Sequence, residues 1–453
     1  MNRQRKDNHS KEAKPFVGDT GLPFTSAQEK TNASLSMVLF SLCIGCFIGF
    51  AVWGVFWLST FLTELLWTEG YEALSSTLLQ AGISSWWIPI LFCTTGGLLI
   101  GLWTTKFGGE PESLEKVMAT VKTTGEYKLK NPFSSVVGFL LPLIFGGSVG
   151  PEAGLTGIIA AACTKIGNML KSAGLRLKEL TEVTLSASLS AIFATPFVGI
   201  VATYLEGMST NPPQKNPENY ALRKKVKLVL YSASAFGAVL GIFVFTLLFG
   251  NESGLPKFDG ITPGANNLWW FFPCMLTGYV GALLYHAGNK YFGLCSKRLS
   301  GHSIIKPLIA GVIIGCLAIP LPYVLFPGEA QAFELIENWQ QMGAWILLAT
   351  GLCKCLATPF CLHFGWNGGH FFPCIFAGIA CGYGLALLLN MEAMFAVAIT
   401  TATLLSALQR KPFIALALLL LCFPVESILW MGIACVIGAV LPLPKSLCPG
   451  GRV

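Results

Sequence analysis

The chain has 453 residues, 53% of them hydrophobic and only 12% charged, and carries a formal net charge of +7. Water-soluble domains hold about a quarter charged residues, so this composition excludes an ordinary soluble globule and makes lipid the expected solvent. The basic excess sits in a tail and between apolar runs, where it reads as a topology signal, and no nucleic-acid partner is expected.

Residues 1–34 are polar and rich in Lys and Arg, a disordered basic tail rather than a signal peptide. Arg3, Arg5, Lys6, Lys11 and Lys14 outnumber Asp7 and Glu12 there, which places the N-terminus on the cytoplasmic side of a cell membrane. Apolar runs near the length that crosses a hydrocarbon core follow at 36–57, 88–103, 228–249, 308–326 and 413–430. The connection 209–227 carries Lys215, Arg223, Lys224, Lys225 and Lys227 against Glu218 and is expected inside. By the same rule "NESGLPKFDGITPGANN" (251–267) lies outside and "CSKRLSGHSIIK" (295–306) inside, so the runs 228–250 and 268–294 cross in opposite directions. Trp86, Trp87, Trp269 and Trp270 suit interfacial belts. Of the 15 cysteines, Cys43, Cys46, Cys93, Cys163, Cys316, Cys422 and Cys435 lie inside apolar runs, where a thiol is a small hydrophobe.

Three segments are too broken to span. Glycine and proline interrupt "FGGEPESLEKVMATV" (107–121), the start of 146–162, and "FGWNGGHFFPCIFAG" (364–378), each just before a helical pattern. Bare backbone inside a bilayer is tolerated only where it is buried in protein or lines a wet cavity. A helix that starts there turns its first N–H groups and the positive end of its dipole toward whatever lies in front. Such a start holds an anion without a full positive charge, and glycine lets the anion approach closely. Partial charges bind moderately, so the anion can also leave. The pattern points to an anion-transporting membrane protein, with lipid and small inorganic anions as its partners.

At these breaks the sequence resembles the CLC family of chloride channels and chloride/proton exchangers, whose motifs G-S-G-I-P-E, G-[KR]-E-G-P and G-x-F-x-P stand here as "FGGEPE" (107–112), "GSVGP" (147–151) and "GHFFP" (369–373). "FATPFVGIVATYLEGM" (193–208) is similar to the segment carrying the family's internal glutamate, and "SALQRKPFIAL" (406–416) to its late helix pair. The resemblance implies an all-α polytopic fold, an inverted repeat of tilted, partly broken helices, and a homodimer with one pore per subunit. The organisation then reads as a tail over 1–34, a first membrane repeat over 35–250, a second over 251–444 and a short tail over 445–453, a divergent prokaryotic-type form expected to lack cytoplasmic CBS domains.

The resemblance also implies roles residue by residue. Gly108, Gly109, Gly147, Ser148, Gly150, Gly369, His370, Phe371 and Phe372 fall on anion-facing positions, the last three through backbone N–H groups. The gating glutamate falls on Val149, which can neither carry a proton nor mimic an anion, so channel-like or weakly coupled chloride movement is expected. The neighbouring cationic position is Ser148, the central serine falls on Gly108, and no tyrosine follows Lys411, so the central tyrosine is missing. Glu206 matches the internal proton-passing glutamate, or is a helix-end carboxylate at the water interface. Glu152 is a displaced gate or an acid suited to a helix's first turn, and Glu110 is a third protonatable candidate. The alternatives are a proton-coupled exchanger built on Glu110, Glu152 and Glu206, a fluoride exporter, or a nonconducting sensor or scaffold. No metal or cofactor is expected, because His363 and His370 lack a ligand cluster. With five histidines, no His-Glu-x-x-His pair and no evident Ser/His dyad, the chain is expected not to be an enzyme.

Overall fold

Spans that find no water in lipid must satisfy every backbone N–H and C=O internally, and helices do so within one segment. A computed structural model describes residues 35–108, 117, 120, 131–169, 177–209, 217–250, 256–261, 267–299, 301–420 and 422–447. Among these there is no strand, only helices and one isolated bridge. In chain order the first half holds α1 (Leu35–Glu64), a π-helical turn (Leu65–Gly70), α2 (Tyr71–Gln80), α3 (Ile88–Phe107), α4 (Pro132–Ile144), α5 (Glu152–Met169), α6 (Leu177–Ile192), α7 (Pro196–Ser209) and α8 (Pro217–Phe249). The second half holds α9 (Asn267–Arg298), α10 (Ile305–Ala318), α11 (Glu329–Asn338), α12 (Ala344–His363), α13 (Phe371–Leu389), α14 (Ala393–Gln409), α15 (Pro412–Leu419) and α16 (Ile428–Val440).

Proline and basic residues explain where the helices depart from the sequence expectation. The run 308–326 ends as a helix at Ala318, because Pro320 and Pro322 cannot continue it, and passes into a short 3-10 turn, Pro322–Val324. The run 413–430 divides at Pro424 into α15 and α16. The basic end of the 209–227 connection belongs to α8, which already begins at Pro217, and Lys227 there pairs with Glu182 of α6 at 2.5 Å. Of 107–121, Phe107, Gly108, Val117 and Thr120 lie within the described residues, and Gly109 and Glu110 lie outside them.

Two helix pairs approach through reciprocal glycines. A Cβ on Gly45 or Gly49 of α1 would lie 2.0 Å from the carbonyl oxygen of Ser234 or Ala238 on α8. Gly237 and Gly241 of α8 meet Leu42 and Cys46 of α1 at 2.2 and 2.0 Å in the same way. Gly97 and Gly101 of α3 sit likewise against Pro307 and Ile304 at α10, while Gly311 and Gly315 of α10 sit against Cys93 and Ile90. Lipid tails are as apolar as leucine, so such pairs associate through close van der Waals packing that only small residues allow. The most enclosed span is α13. It is buried continuously from Phe371 to Ala386, packed between α12 and α14, and its first turn therefore faces protein rather than lipid. Trp86 and Trp269 are exposed, as belt residues should be.

Gly241→Leu is expected to separate α1 from α8 and lower thermal stability by several degrees, whereas Gly301→Leu, with nothing within 4 Å of its Cβ position, should be neutral. Tryptophan-fluorescence melting of the purified proteins in detergent checks both.

Candidate functional site

Two of the three breaks meet. After α4 the chain turns at Gly146, with φ 86°, and the N–H of Gly147 donates to Pro142 at 2.8 Å. After α12 it turns at Gly365, with φ 91°, and Trp366 donates its ring N–H to the Pro307 carbonyl at 2.9 Å. The two loops then bond to each other: the Gly150 N–H donates to Gly369 at 2.8 Å and the Gly369 N–H donates to Gly150 at 2.6 Å. This two-bond bridge satisfies four backbone groups that water cannot reach. It also fixes the start of α5 against the start of α13.

The Glu152 side chain occupies the junction. Glu152 is fully buried at the first position of α5, and its Oε1 accepts the Phe371 N–H at 2.6 Å. Phe371 opens α13, so this amide is one of the donors a helix leaves without an intrahelical partner. A Cβ on Gly150 would lie 2.0 Å from Glu152 Oε2, and one on Gly369 2.0 Å from Glu152 Cδ. The two bridge glycines thus leave a recess that the carboxylate fills. A charge-assisted bond of this kind is stronger than a neutral one, and the carboxylate stands where a free anion would find the same donor.

The sequence-derived candidates divide around that recess. Gly147, Ser148, Val149, Gly150, Gly369, His370, Phe371 and Phe372 are brought together by the paired loops. Val149 is buried and packs on Gly368, where a Cβ would come within 2.7 Å of it, so its side chain is core packing. Ser148 faces α12, its Oγ 3.3 Å from Thr358 Oγ1. The His370 ring stacks on Phe371 at 4.5 Å, and His363 lies apart, bonded to Asn289 at 2.8 Å. Gly108 ends α3 exposed, with φ 61°, and its carbonyl accepts from Ser134 at 2.5 Å. No described contact joins it to the other two breaks. Glu206 is on α7, but its side chain, like Gly109 and Glu110, lies outside the described residues.

Two features were not singled out from the sequence. A fourth break, between α6 and α7, turns at Ala194 with φ 49° and presents Phe193, which stacks on Phe372 at 5.3 Å and edge-on to Phe371 at 5.8 Å. The second is Lys354, fully buried in the middle of α12. Its ammonium donates to the carbonyls of Tyr323, Leu325 and Phe326 at 2.8, 2.9 and 2.9 Å, with Val324 at 3.4 Å, and lies 4.6 Å from the centre of the Phe376 ring. Three close acceptors match the three donors of –NH3+, and the ring face favours the cation. Phe326 in turn donates its N–H to Gly146 at 3.3 Å, so Lys354 braces the loop that turns into the site. A lone lysine within "GLCKCLAT" was the available signal, since an ionisable residue inside a span is functional by default.

A sequence model of the voltage-gated chloride channel family matches residues 96–442. The chain belongs to the CLC family. Chloride channel protein CLC-e of Arabidopsis thaliana is 24% identical over 357 residues, covering 73% of this chain and 47% of that protein, so the chain spans about half the length of the plant relative. YfeO of Escherichia fergusonii is 25% identical over 339 residues, covering 72% of this chain and 73% of that one. A CLC-type fluoride/proton antiporter of known structure superposes with a TM-score of 0.63 at 19% identity, over 92% of this chain and 96% of that one. A slow cyanobacterial Cl−/H+ antiporter reaches 0.70 at 18% identity, over 92% and 95%. The all-helical fold of this multi-pass membrane protein is therefore that of CLC transporters.

Lys354→Met would leave buried CLC carbonyls without a donor, each at about 1–3 kcal/mol. It is expected to lower the melting temperature sharply, and Lys354→Gln, which keeps two donors, to lower it less. Differential scanning fluorimetry of the two variants beside the native chain measures the order.

Proposed function

We propose that this CLC chain carries chloride or a similar small inorganic anion across the membrane through the recess between the Gly150–Gly369 bridge and the start of α13. Glu152 occupies that recess whenever no anion does. The observation that carries the reading is the Phe371 N–H donated to Glu152 Oε1 at 2.6 Å. An anion seeking that donor competes with a carboxylate already on it, and protonation of Glu152 removes the competitor's charge.

Val149 alone would favour ungated, channel-like flow. The seat of Glu152 instead favours the alternative of a carboxylate-gated, proton-sensitive transporter. Two structural relatives, a fluoride/proton and a Cl−/H+ antiporter, agree with it. Gly147, Ser148, Gly150, Gly369, His370, Phe371 and Phe372 line the anion's path, Gly108 and Gly109 take the family's remaining anion positions, and Glu110 and Glu206 are further candidates for carrying protons. The working unit is a homodimer in the cell membrane with the basic N-terminal tail in the cytoplasm, and no cofactor takes part.

Glu152→Gln tests this directly by isothermal titration with chloride, bromide, nitrate and fluoride, and by flux from liposomes. Native flux is expected to rise as pH falls. The variant should bind anion about ten- to a hundredfold more tightly near neutral pH, the factor that follows from losing a charged competitor's hydrogen bond of about 1.5–3 kcal/mol, and its flux should be independent of pH. Unchanged affinity and an unchanged pH profile would sink the gate. No binding of any of the four anions would favour a nonconducting scaffold.

A further inference from the structure

A second carboxyl stands at the same end of α13. Glu329 opens α11 directly after Gly328, whose φ of 105° turns the chain against α13, where a Cβ on Gly328 would lie 2.5 Å from the Cβ of Phe376. The preceding segment is tied to the site, since Phe326 donates its N–H to Gly146 at 3.3 Å and accepts from Lys354 at 2.9 Å. Phe371, which holds Glu152, and Phe376, which backs Gly328, are five residues apart on one helix, about 7.5 Å of rise. Glu152 and the start of α11 therefore flank the first turn and a half of α13.

Within this frame Glu329 Oε1 is shut off from solvent and has no hydrogen-bond partner among the described residues, while the residue as a whole is only half-buried. An ionised oxygen left so is costly, and a protonated carboxyl much less so. Burial first and the Glu152 charge second push the Glu329 carboxyl up to about 8. The other titratable groups nearby are engaged elsewhere: the Lys354 ammonium on its carbonyls, Tyr323 with Glu334, and Cys374 as a thiol within buried α13.

We propose that Glu329 is the proton-exchange partner of Glu152, holding a proton while the Glu152 carboxylate sits on the Phe371 amide and passing it across when an anion takes that amide. The O–H bond of Glu329 breaks and one on Glu152 forms, directly or through one water, with no change of oxidation state. Glu329 then regains a proton from bulk water through its half-exposed side. The inference rests on the reading of Glu152 given above, and it separates an outer relay carboxyl from the gate itself.

The test is simultaneous chloride and proton flux in liposomes containing the full chain, native against Glu329→Gln, from about pH 6 to about pH 9, spanning the Glu329 titration. Native protein is expected to move protons with chloride, at a rate that falls as pH rises through about 8. Glu329→Gln should lose proton flux by about a hundredfold while retaining chloride flux, the scale of a lost general acid, and Glu329→Asp should restore part of it. Native-like proton coupling in Glu329→Gln, or a native profile without an inflection near 8, overturns the proposal. If the glutamine variant does not fold, the native profile decides alone. Failure of this relay would leave the anion affinity of Glu152→Gln raised, whereas failure of the gate would leave it unchanged.

Discussion

Backbone groups inside lipid cannot be left to water, and the site follows from how this chain meets that constraint at two interrupted helices. Either loop alone would carry orphaned N–H and C=O groups into the membrane. Facing each other, Gly150 and Gly369 exchange two hydrogen bonds and satisfy both loops at once. The exchange works only between glycines, because a Cβ on either would enter the space taken by the Glu152 carboxyl. What the bridge does not satisfy is the first amide of α13, and the Glu152 carboxyl takes that remaining donor.

The ionisable groups around the junction come from separate elements. Glu152 comes from α5, Glu329 from the start of α11 and Lys354 from α12. Burial first and the Glu152 charge second disfavour ionisation of Glu329. The Lys354 ammonium, fixed by its carbonyls, holds the 323–326 segment against the loop that turns at Gly146.

Much of this was legible before the structure. Hydropathy picked out the apolar runs that become α1, α3 and α8, and the Gly/Pro breaks at 147–151 and 369–373 announced helix starts, because those residues are costly inside a continuous helix and useful at its first turn. Reading Val149 as the decisive position was less secure, since sequence order cannot say which side chain of "SVGPE" turns back over the helix end. Val149 packs on Gly368, and Glu152, three residues on, fills the recess. Glu329 was invisible because it opens a short polar helix that resembles a surface connection, and only the fold brings that helix start to α13. The helix ends at Ala318 and Leu419 were missed because runs of apolar residues hid the prolines that stop them.

All of this turns on whether the Phe371 amide is one seat contested by the Glu152 carboxylate and a free anion. Anomalous diffraction from crystals grown in bromide at neutral pH, native beside Glu152→Gln, addresses that seat directly. A bromide peak is expected within hydrogen-bonding distance of the Phe371 nitrogen in the glutamine variant and is expected to be absent there in the native protein. Bromide at that nitrogen in both crystals, or in neither, would contradict it.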